Sequence, residues 1–294
     1  MKILLRFLAW LGLPANHRVG AVAGRLAYAL SPRFRLRTLE NLRTAGFGGP
    51  DAPVEHLARQ SAAETGKGAS ELAWALFRPV EEVCALVKDV RGWEAIERLR
   101  GEARPIIFVT PHLGGFDIAG RYLWSRLPIM AMYRPHKLSW LDDLIREGRN
   151  RGAAPDGSNV APATMAGVRM LLRHLRKGGC TVILPDQVPG EGEGEWVDFF
   201  GRPAYTMTLT GRLQEASGAA LVFCFAERLP EGLGFRLHLE CREDSLPKGD
   251  RVAAARAVNA GVEALIALAP AQYLWSYNRY KRPAGAPAAP GMAA

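Results

Sequence analysis

The sequence predicts an α/β fold, a mostly parallel central sheet flanked by helices, and two observations predict it. From residue 105 onward, short apolar runs rich in β-branched residues alternate with segments of helical spacing, the pattern of βαβ units on a parallel sheet. Polar clusters close three of those runs, at His112 to Asp117, Tyr133 to Pro135 and Asp186 to Gln187. The carboxyl ends of parallel strands gather such clusters into one ligand-binding crevice.

The elements follow in order. "MKILLRFLAWLGLPANHRVGAVAGRLAYAL" holds two apolar stretches separated by Pro14 and the polar "NHR". The first is about a dozen residues long and contains Arg6, whereas a membrane-spanning helix needs ~20 apolar residues. "AVA" resembles a signal-peptide cleavage site, but Arg6 interrupts the apolar region such a peptide requires. Lys2, Arg6 and Arg18 beside Leu4, Leu5, Phe7, Leu8, Trp10 and Leu11 suit a helix lying in a membrane interface with its cations near anionic lipid. An ordinary first helix packed on the domain is the plain alternative.

A helix is expected from Ser61 to Ala85, with Leu72, Ala73, Leu76 and Phe77 on one side and Pro79 near its end. "PIIFVT" (105 to 110) is a strand, "PHLGGFD" a loop and "IAGRYLWSRL" a helix. "IMAMYR" (129 to 134) is a second strand, "LSWLDDLIREGRNRG" and "TMAGVRMLLRHLRKG" are helices, and "CTVILPDQ" (180 to 187) is a third strand. "ALVFCFAERL" and "FRLHLECRED" flank "PEGLG" as a hairpin at the sheet's edge. "RVAAARAVNAGVEALIALA" is an amphipathic helix that packs back, and the Ala/Pro/Gly tail reads as disordered. This divides the chain into an N-terminal membrane-interface helical segment (1–30), a main domain (31–283) and a tail (284–294).

At 294 residues, 48% hydrophobic, the chain can bury a substantial core without staples. Cys84, Cys180, Cys224 and Cys241 show no CxxC or zinc-finger spacing and read as buried thiols in a reducing compartment. Lysine plus arginine outnumber aspartate plus glutamate by 38 to 29, spread along the chain. That surplus favours an anionic partner: lipid headgroups, a phosphorylated ligand, an acidic carrier protein or nucleic acid. No helix-turn-helix, RNA-binding or zinc signature supports nucleic acid.

Residues five apart on a continuous helix point about 140° away from each other, so His112 and Asp117 meet only across a loop. Gly114 and Gly115 provide one. Asp117, in the first helical turn, would then reach one imidazole nitrogen, fix the tautomer and leave the other nitrogen as a base able to deprotonate a hydroxyl. A histidine capping a helix beside a solvated carboxylate satisfies the same spacing. Other signals fail. "GEGEGEW" carries three glutamates and no following Gly-Lys-Ser/Thr, so it reads as a charged surface loop in the position of a lid. No GxSxG elbow is present. His17, His56, His136, His174 and His238 lack ligand spacing, which argues against a metal. Trp140 and Trp196 suit either a lipid entrance or ordinary packing.

"HLGGFD" resembles the HxxxxD/E block of glycerolipid acyltransferases, and its neighbours resemble those of the bacterial lipid A late acyltransferases, the lauroyl and myristoyl transferases. "MAMYRPHK" is similar to that family's second block and "ILPDQVPGEGEGEWVDFFGRPA" to its third, with "TLENLRTAGF" upstream and "YLWSYNRYK" near the end. The resemblance covers roughly residues 1 to 283. It implies a glycerolipid acyltransferase-like fold in which His112 is the general base and Asp117 orients it. It also implies a membrane-associated O-acyltransferase, moving a fatty acyl chain from the thioester of acyl carrier protein or coenzyme A to a hydroxyl of a lipid A precursor in lipopolysaccharide biosynthesis. No metal, cofactor or covalent enzyme intermediate is implied, the thioester being a co-substrate.

On the same resemblance, Arg134, Asp186, Gln187, Arg202, Gly114 and Gly115 are the substrate-binding candidates. Arg134 would bind a phosphate or the developing oxyanion, Asp186 would organise the site or Arg134, Arg202 would contact an anion, and Phe199 and Phe200 would wall an acyl groove. His112 and Asp117 would lie within reach of Arg134 and face that groove. The implied location is the cytoplasmic face of the inner membrane, among its lipids. One departure stands out: the family's terminal stretch commonly reads tryptophan, any residue, His-Arg-Arg, whereas Tyr277 and Asn278 stand here in place of the histidine and first arginine. Arg279 and Lys281 remain as cationic contacts. A glycerophospholipid acceptor, or a non-catalytic basic membrane-binding protein, are the competing readings.

Overall fold

The computed structural model describes residues 2–48, 53–133, 160–190, 192–242 and 246–290. Arg134 and the rest of the "RPHK" stretch, Trp140 and the helix expected over 138–152 lie outside the described residues.

Nine strands are described: β1 (Val87–Arg91), β2 (Ile106–Val109), β3 (Ile129–Tyr133), β4 (Val160–Pro162), β5 (Cys180–Ile183), β6 (Gly194–Phe199), β7 (Arg202–Met207), β8 (Ala220–Arg228) and β9 (Phe235–Arg242). Seven form one sheet in the order β1-β9-β8-β2-β5-β3-β4. β8, β2, β5, β3 and β4 run parallel, while β9 returns antiparallel beside β8 and carries β1 parallel to itself. The sheet is thus mostly parallel, as the alternation predicts. The β8–β9 hairpin lies one strand in from the edge, because β1, a short and half-exposed strand, "VKDVR", pairs outside it. Its charged residues and missing apolar run hide it from sequence reading.

β2 is buried at all four positions, as a strand covered on both faces must be. Its side chains and those of β8 alternate between two cores. Ile107, Val109, Leu221 and Phe223 join one and Ile106, Phe108, Val222 and Cys224 the other. The first core is closed by Val258, Val262 and Leu265 of the last helix, Arg251–Leu268, which Asp250 caps by accepting from the Ala253 amide at 2.9 Å.

Helices α1 (Lys2–Trp10), α2 (Leu13–Leu30), α3 (Pro32–Thr44) and α4 (Val54–Phe77) form the N-terminal layer. The helix expected to reach residue 85 ends at Phe77; α5 (Val80–Cys84) follows, and α6 (Trp93–Gly101) comes after β1. Arg78 is extended (φ −85°, ψ 150°), as a residue preceding proline tends to be. α2 buries Asn16, His17, Gly20, Ala21, Gly24 and Tyr28. A Cβ at Gly66 of α4 would lie 2.0 Å from the Gly20 carbonyl oxygen, and one at Gly24 2.0 Å from that of Ala62. The two helices therefore touch backbone to backbone. The opposite face of α2 exposes Val19, Val22, Leu26 and Leu30. Among the described residues no helix is long and apolar enough to cross a membrane.

β6 begins inside "GEGEGEW", at Gly194, so the second half of that stretch is strand and not loop. With β7 it makes a separate hairpin whose turn places Phe200 (φ 49°) and Gly201 (φ 71°) in the left-handed region. The tail, expected to be disordered from 284, lies on this hairpin as far as Pro290: Ala286 and Ala289 are buried, and the Trp196 indole donates to the Pro287 carbonyl at 3.0 Å. Its Ala and Pro residues lose no side-chain rotamer freedom on ordering. Cys180 and Cys224 are buried, and Cys84 and Cys241 half-buried.

Candidate active site

β2 and β5 are parallel neighbours with Val109 opposite Ile183. Three residues beyond each stand His112 and Asp186. The register alone therefore delivers the histidine to this carboxylate. His112 Nδ1 lies 2.9 Å from Asp186 Oδ1, and the His112 backbone amide donates to Asp186 Oδ2 at 2.9 Å. Gln187 Nε2 lies 3.1 Å from His112 Nε2. These partners assign the neutral tautomer: Nδ1–H donates to Asp186, and the Nε2 lone pair accepts from the Gln187 amide.

Asp186 is 3% exposed. Burial by itself would raise its pKa, but the His112 charge, two hydrogen bonds from His112 and the Arg279 charge together hold it below the usual carboxylate value. Burial disfavours the imidazolium of His112, yet the Asp186 charge and hydrogen bond, with a further contribution from the Asp117 charge, raise its pKa above the ordinary histidine value. Asp117, expected to bond the ring, stands in the first turn of α7 (Phe116–Trp124) and acts on His112 through its charge. The ring nitrogens meet Asp186 and Gln187, which the strand register brings beside the end of β2.

The glycines are used inward. Gly114 has φ +58°, and a Cβ there would lie 2.1 Å from the Ala226 carbonyl oxygen; one at Gly115 would meet the Phe235 ring at 2.5 Å. Gly114 N–H donates to the Gln272 carbonyl at 3.1 Å and Gly115 N–H to that of Ala226 at 2.8 Å. Both amides are thus spent inside the fold, so neither N–H is left to bind substrate. They allow the turn to press against β8.

The C-terminal "YLWSYNRYK" straps the site from behind. Leu274 N–H donates to the His112 carbonyl at 3.1 Å, and Val188 N–H donates to the Tyr277 hydroxyl at 3.0 Å. Asn41, from "TLENLR", donates to the carbonyls of Trp275 (2.6 Å) and Tyr277 (2.9 Å). Tyr277 therefore holds the loop that carries Gln187. Arg279, expected as a cationic contact, is 2% exposed and donates to the Tyr205 carbonyl and the Thr206 hydroxyl. It pins β7 to the strap. Lys281 stays exposed, with its ammonium 5.4 Å from the centre of the Tyr277 ring.

Of the residues expected on the hairpin, Arg202 pairs with Glu40 at 2.9 Å and stacks on Tyr280. Phe199 is buried among Phe200, Tyr273 and Tyr280, so it is core and no groove wall, and Phe200 packs on Phe47 and Trp275. A cavity of about 410 Å³ between the hairpin and the tail is lined by Arg202 and Arg282 but not by His112 or Asp186. Among the described residues no group of three or more His, Cys, Asp or Glu side chains is placed to hold a metal ion.

The geometry suits proton transfer at Nε2: a buried carboxylate fixes the tautomer and stabilises the imidazolium that forms. Comparison with known proteins agrees with an acyltransferase. The family described as bacterial lipid A biosynthesis acyltransferase matches residues 1–282. The lipid A biosynthesis lauroyltransferase of Escherichia coli (strain K12) is 28% identical over 96% of this chain and 94% of its own length. The myristoyltransferase of the same organism is 28% identical over 91% and 84%, and its palmitoleoyltransferase 31% identical over 67% and 63%. The chain belongs to the bacterial lipid A biosynthesis acyltransferase family.

Proposed function

We propose that the protein transfers a fatty acyl chain from the thioester of acyl carrier protein or coenzyme A to a hydroxyl of a lipid A precursor, with His112 as general base. The observation that carries this reading is the His112–Asp186 pair at the adjoining ends of β2 and β5. The acceptor hydroxyl takes the place of the Gln187 amide at Nε2 and gives up its proton there as its oxygen attacks the thioester carbonyl. Collapse of the tetrahedral intermediate breaks the C–S bond. His112 returns the proton to the leaving sulfur, yielding ester and free thiol. Asp186 offsets the imidazolium charge between the two steps, and Asp117 adds to it at longer range. In this reading Arg134 neutralises a phosphate or the oxyanion, and neither a metal nor a cofactor takes part.

The same proposal puts the enzyme on the cytoplasmic face of the inner membrane. Phe7 and Trp10 of α1 and Val19, Val22, Leu26 and Leu30 of α2 are exposed, with Arg6, Arg18, Arg25 and Arg33 exposed around them. An apolar stripe flanked by arginines suits the boundary between acyl chains and anionic headgroups. The family assignment sets aside a non-catalytic protein, but a different lipid acceptor remains a second reading, favoured by Tyr277 and Asn278 in the terminal block.

The test is transfer of labelled acyl groups to a lipid A precursor by wild type and His112→Ala. Transfer that survives in the folded variant overturns the role of His112. Release of fatty acid without transfer, still dependent on His112, keeps the chemistry and changes the acceptor.

A further inference from the structure

The turn that carries His112 has its backbone polar groups pinned at successive positions: the His112 amide by Asp186, its carbonyl by Leu274, and the Gly114 and Gly115 amides by carbonyls of Gln272 and Ala226. The Gly114 carbonyl is held by a cation. Arg228, the last residue of β8, donates to it from Nη2 at 2.8 Å. The guanidinium also forks onto Glu71 of α4, at 2.6 Å from Nε to Oε1 and 2.9 Å from Nη2 to Oε2. Glu64, itself paired with Lys67, lies 3.4 Å from Nη1, and His17 of α2 meets Glu71 Oε1 at 2.5 Å. The Arg228 side chain is 4% exposed and that of Glu71 3%.

A cluster of this kind is weak evidence for stability, since a buried ion pair is often no better than an apolar replacement. What it supplies is direction: a planar fork fixed on one carboxylate has little freedom in where its remaining donor points. The backbone of Arg228 is fixed as well. It exchanges two hydrogen bonds with the Gln272 side-chain amide, at 2.8 and 3.1 Å, and the Gln272 carbonyl receives the Gly114 amide. Arg228 and Gln272 thus grip both sides of the glycine whose φ of +58° turns the chain from His112 into α7.

We infer that Arg228 is a positioning residue for the reaction: held by Glu71 and, through it, by His17 of the N-terminal layer, it sets the turn that aims His112 at Asp186. The inference rests on the reading of His112 as the base. Lysine at this position keeps a charge for Glu71 but lacks the fork that reaches the Gly114 carbonyl at the same time.

The experiment compares wild type, Arg228→Lys and Gln272→Ala by two measurements: NMR titration of the His112 imidazole, and kcat, KM and the pH dependence of kcat/KM in acyl transfer. In folded Arg228→Lys, the His112 titration is expected to fall toward that of an ordinary histidine. kcat should drop about tenfold to a hundredfold with KM within about twofold, the signature of a misplaced reacting group. Gln272→Ala should shift both in the same direction and keeps the test decisive if the lysine variant does not fold. A lower melting temperature with an unchanged His112 titration and wild-type kcat per folded molecule would overturn the inference and leave Arg228 a purely structural residue. If His112→Ala transfers acyl groups normally, the reading of the base fails, while the titration still decides whether Arg228 positions the ring.

Discussion

Asp186 accepts two hydrogen bonds from the single residue His112, one from Nδ1 and one from the backbone amide. The carboxylate is therefore tied to the strand end as well as to the ring, so the imidazole cannot swing without breaking the bond that fixes its tautomer. Asp186→Asn should keep the shape and lose the charge. We expect kcat to fall by at least about a hundredfold, with a smaller loss for Asp117→Asn, which acts on the ring through its charge. Steady-state kinetics on both variants checks this; an Asp117 variant as impaired as the Asp186 variant would return the orienting role to Asp117.

The same pair sets the acid limb of the rate profile. A general base must be neutral before it can accept a proton, and the pKa of His112 is raised above 6.5. Activity is therefore expected to rise with pH through a value above that of ordinary histidine, and Asp186→Asn should move the limb down. A limb that stays in place in the variant would assign it to another group.

Stability should follow the pair with opposite signs on its two sides. Asp186 has a folded pKa below 3.8, so its contribution is present above 3.8 and is lost as pH falls through the folded value. His112 has a folded pKa above 6.5, so its contribution is full below 6.5 and is lost as pH rises through the folded value. The difference in unfolding free energy between wild type and His112→Ala is thus largest between those two pH values. Denaturant melts from pH 3 to 9 that show a flat difference would remove the coupling.

Gly114→Ala combines a left-handed backbone with a Cβ placed 2.1 Å from a carbonyl oxygen that belongs to the sheet. The strained backbone alone costs about 1–2 kcal/mol, and the overlap adds to it. Urea unfolding should show a loss of about 2 kcal/mol or more. Wild-type stability in this variant would mean that β8 can retreat from the turn.

Val22→Asp with Leu26→Asp tests the exposed stripe of α2. Both side chains are exposed in the fold, so stability should stay within about 0.5 kcal/mol per site, while co-sedimentation with vesicles containing anionic lipid should fall severalfold. Unchanged sedimentation would move the membrane contact elsewhere on the protein.

The sheet's centre was legible because "PIIFVT" and "CTVILPDQ" are continuous apolar runs, the mark of strands covered on both faces. β1 and β4 were not, being short and, in β1, charged. In the site, His112, Asp186 and Gln187 stood out as polar residues at strand ends. The choice of carboxylate did not, since it depends on the pairing of Val109 with Ile183, 74 residues apart, whereas Asp117 was five positions away. Nor did Arg228 carry any local signal: its counter-ion lies 157 residues earlier in the chain. Arg279 looked like a free cation because sequence shows charge but not enclosure.

Where Gly20 and Gly24 of α2 meet Ala62 and Gly66 of α4, main chain bears directly on main chain. Side chains deform by changing rotamer and so absorb displacement; peptide planes do not. The contact is a stiff mechanical joint. The outer face of α2 is thereby joined to the Gly114 carbonyl by an unbroken series of contacts: backbone to α4, α4 to Glu71, and Glu71 through one guanidinium to the carbonyl. The helix that presents the apolar stripe and the turn that presents the imidazole are in this sense two ends of one contact path, with the small residues as its joint.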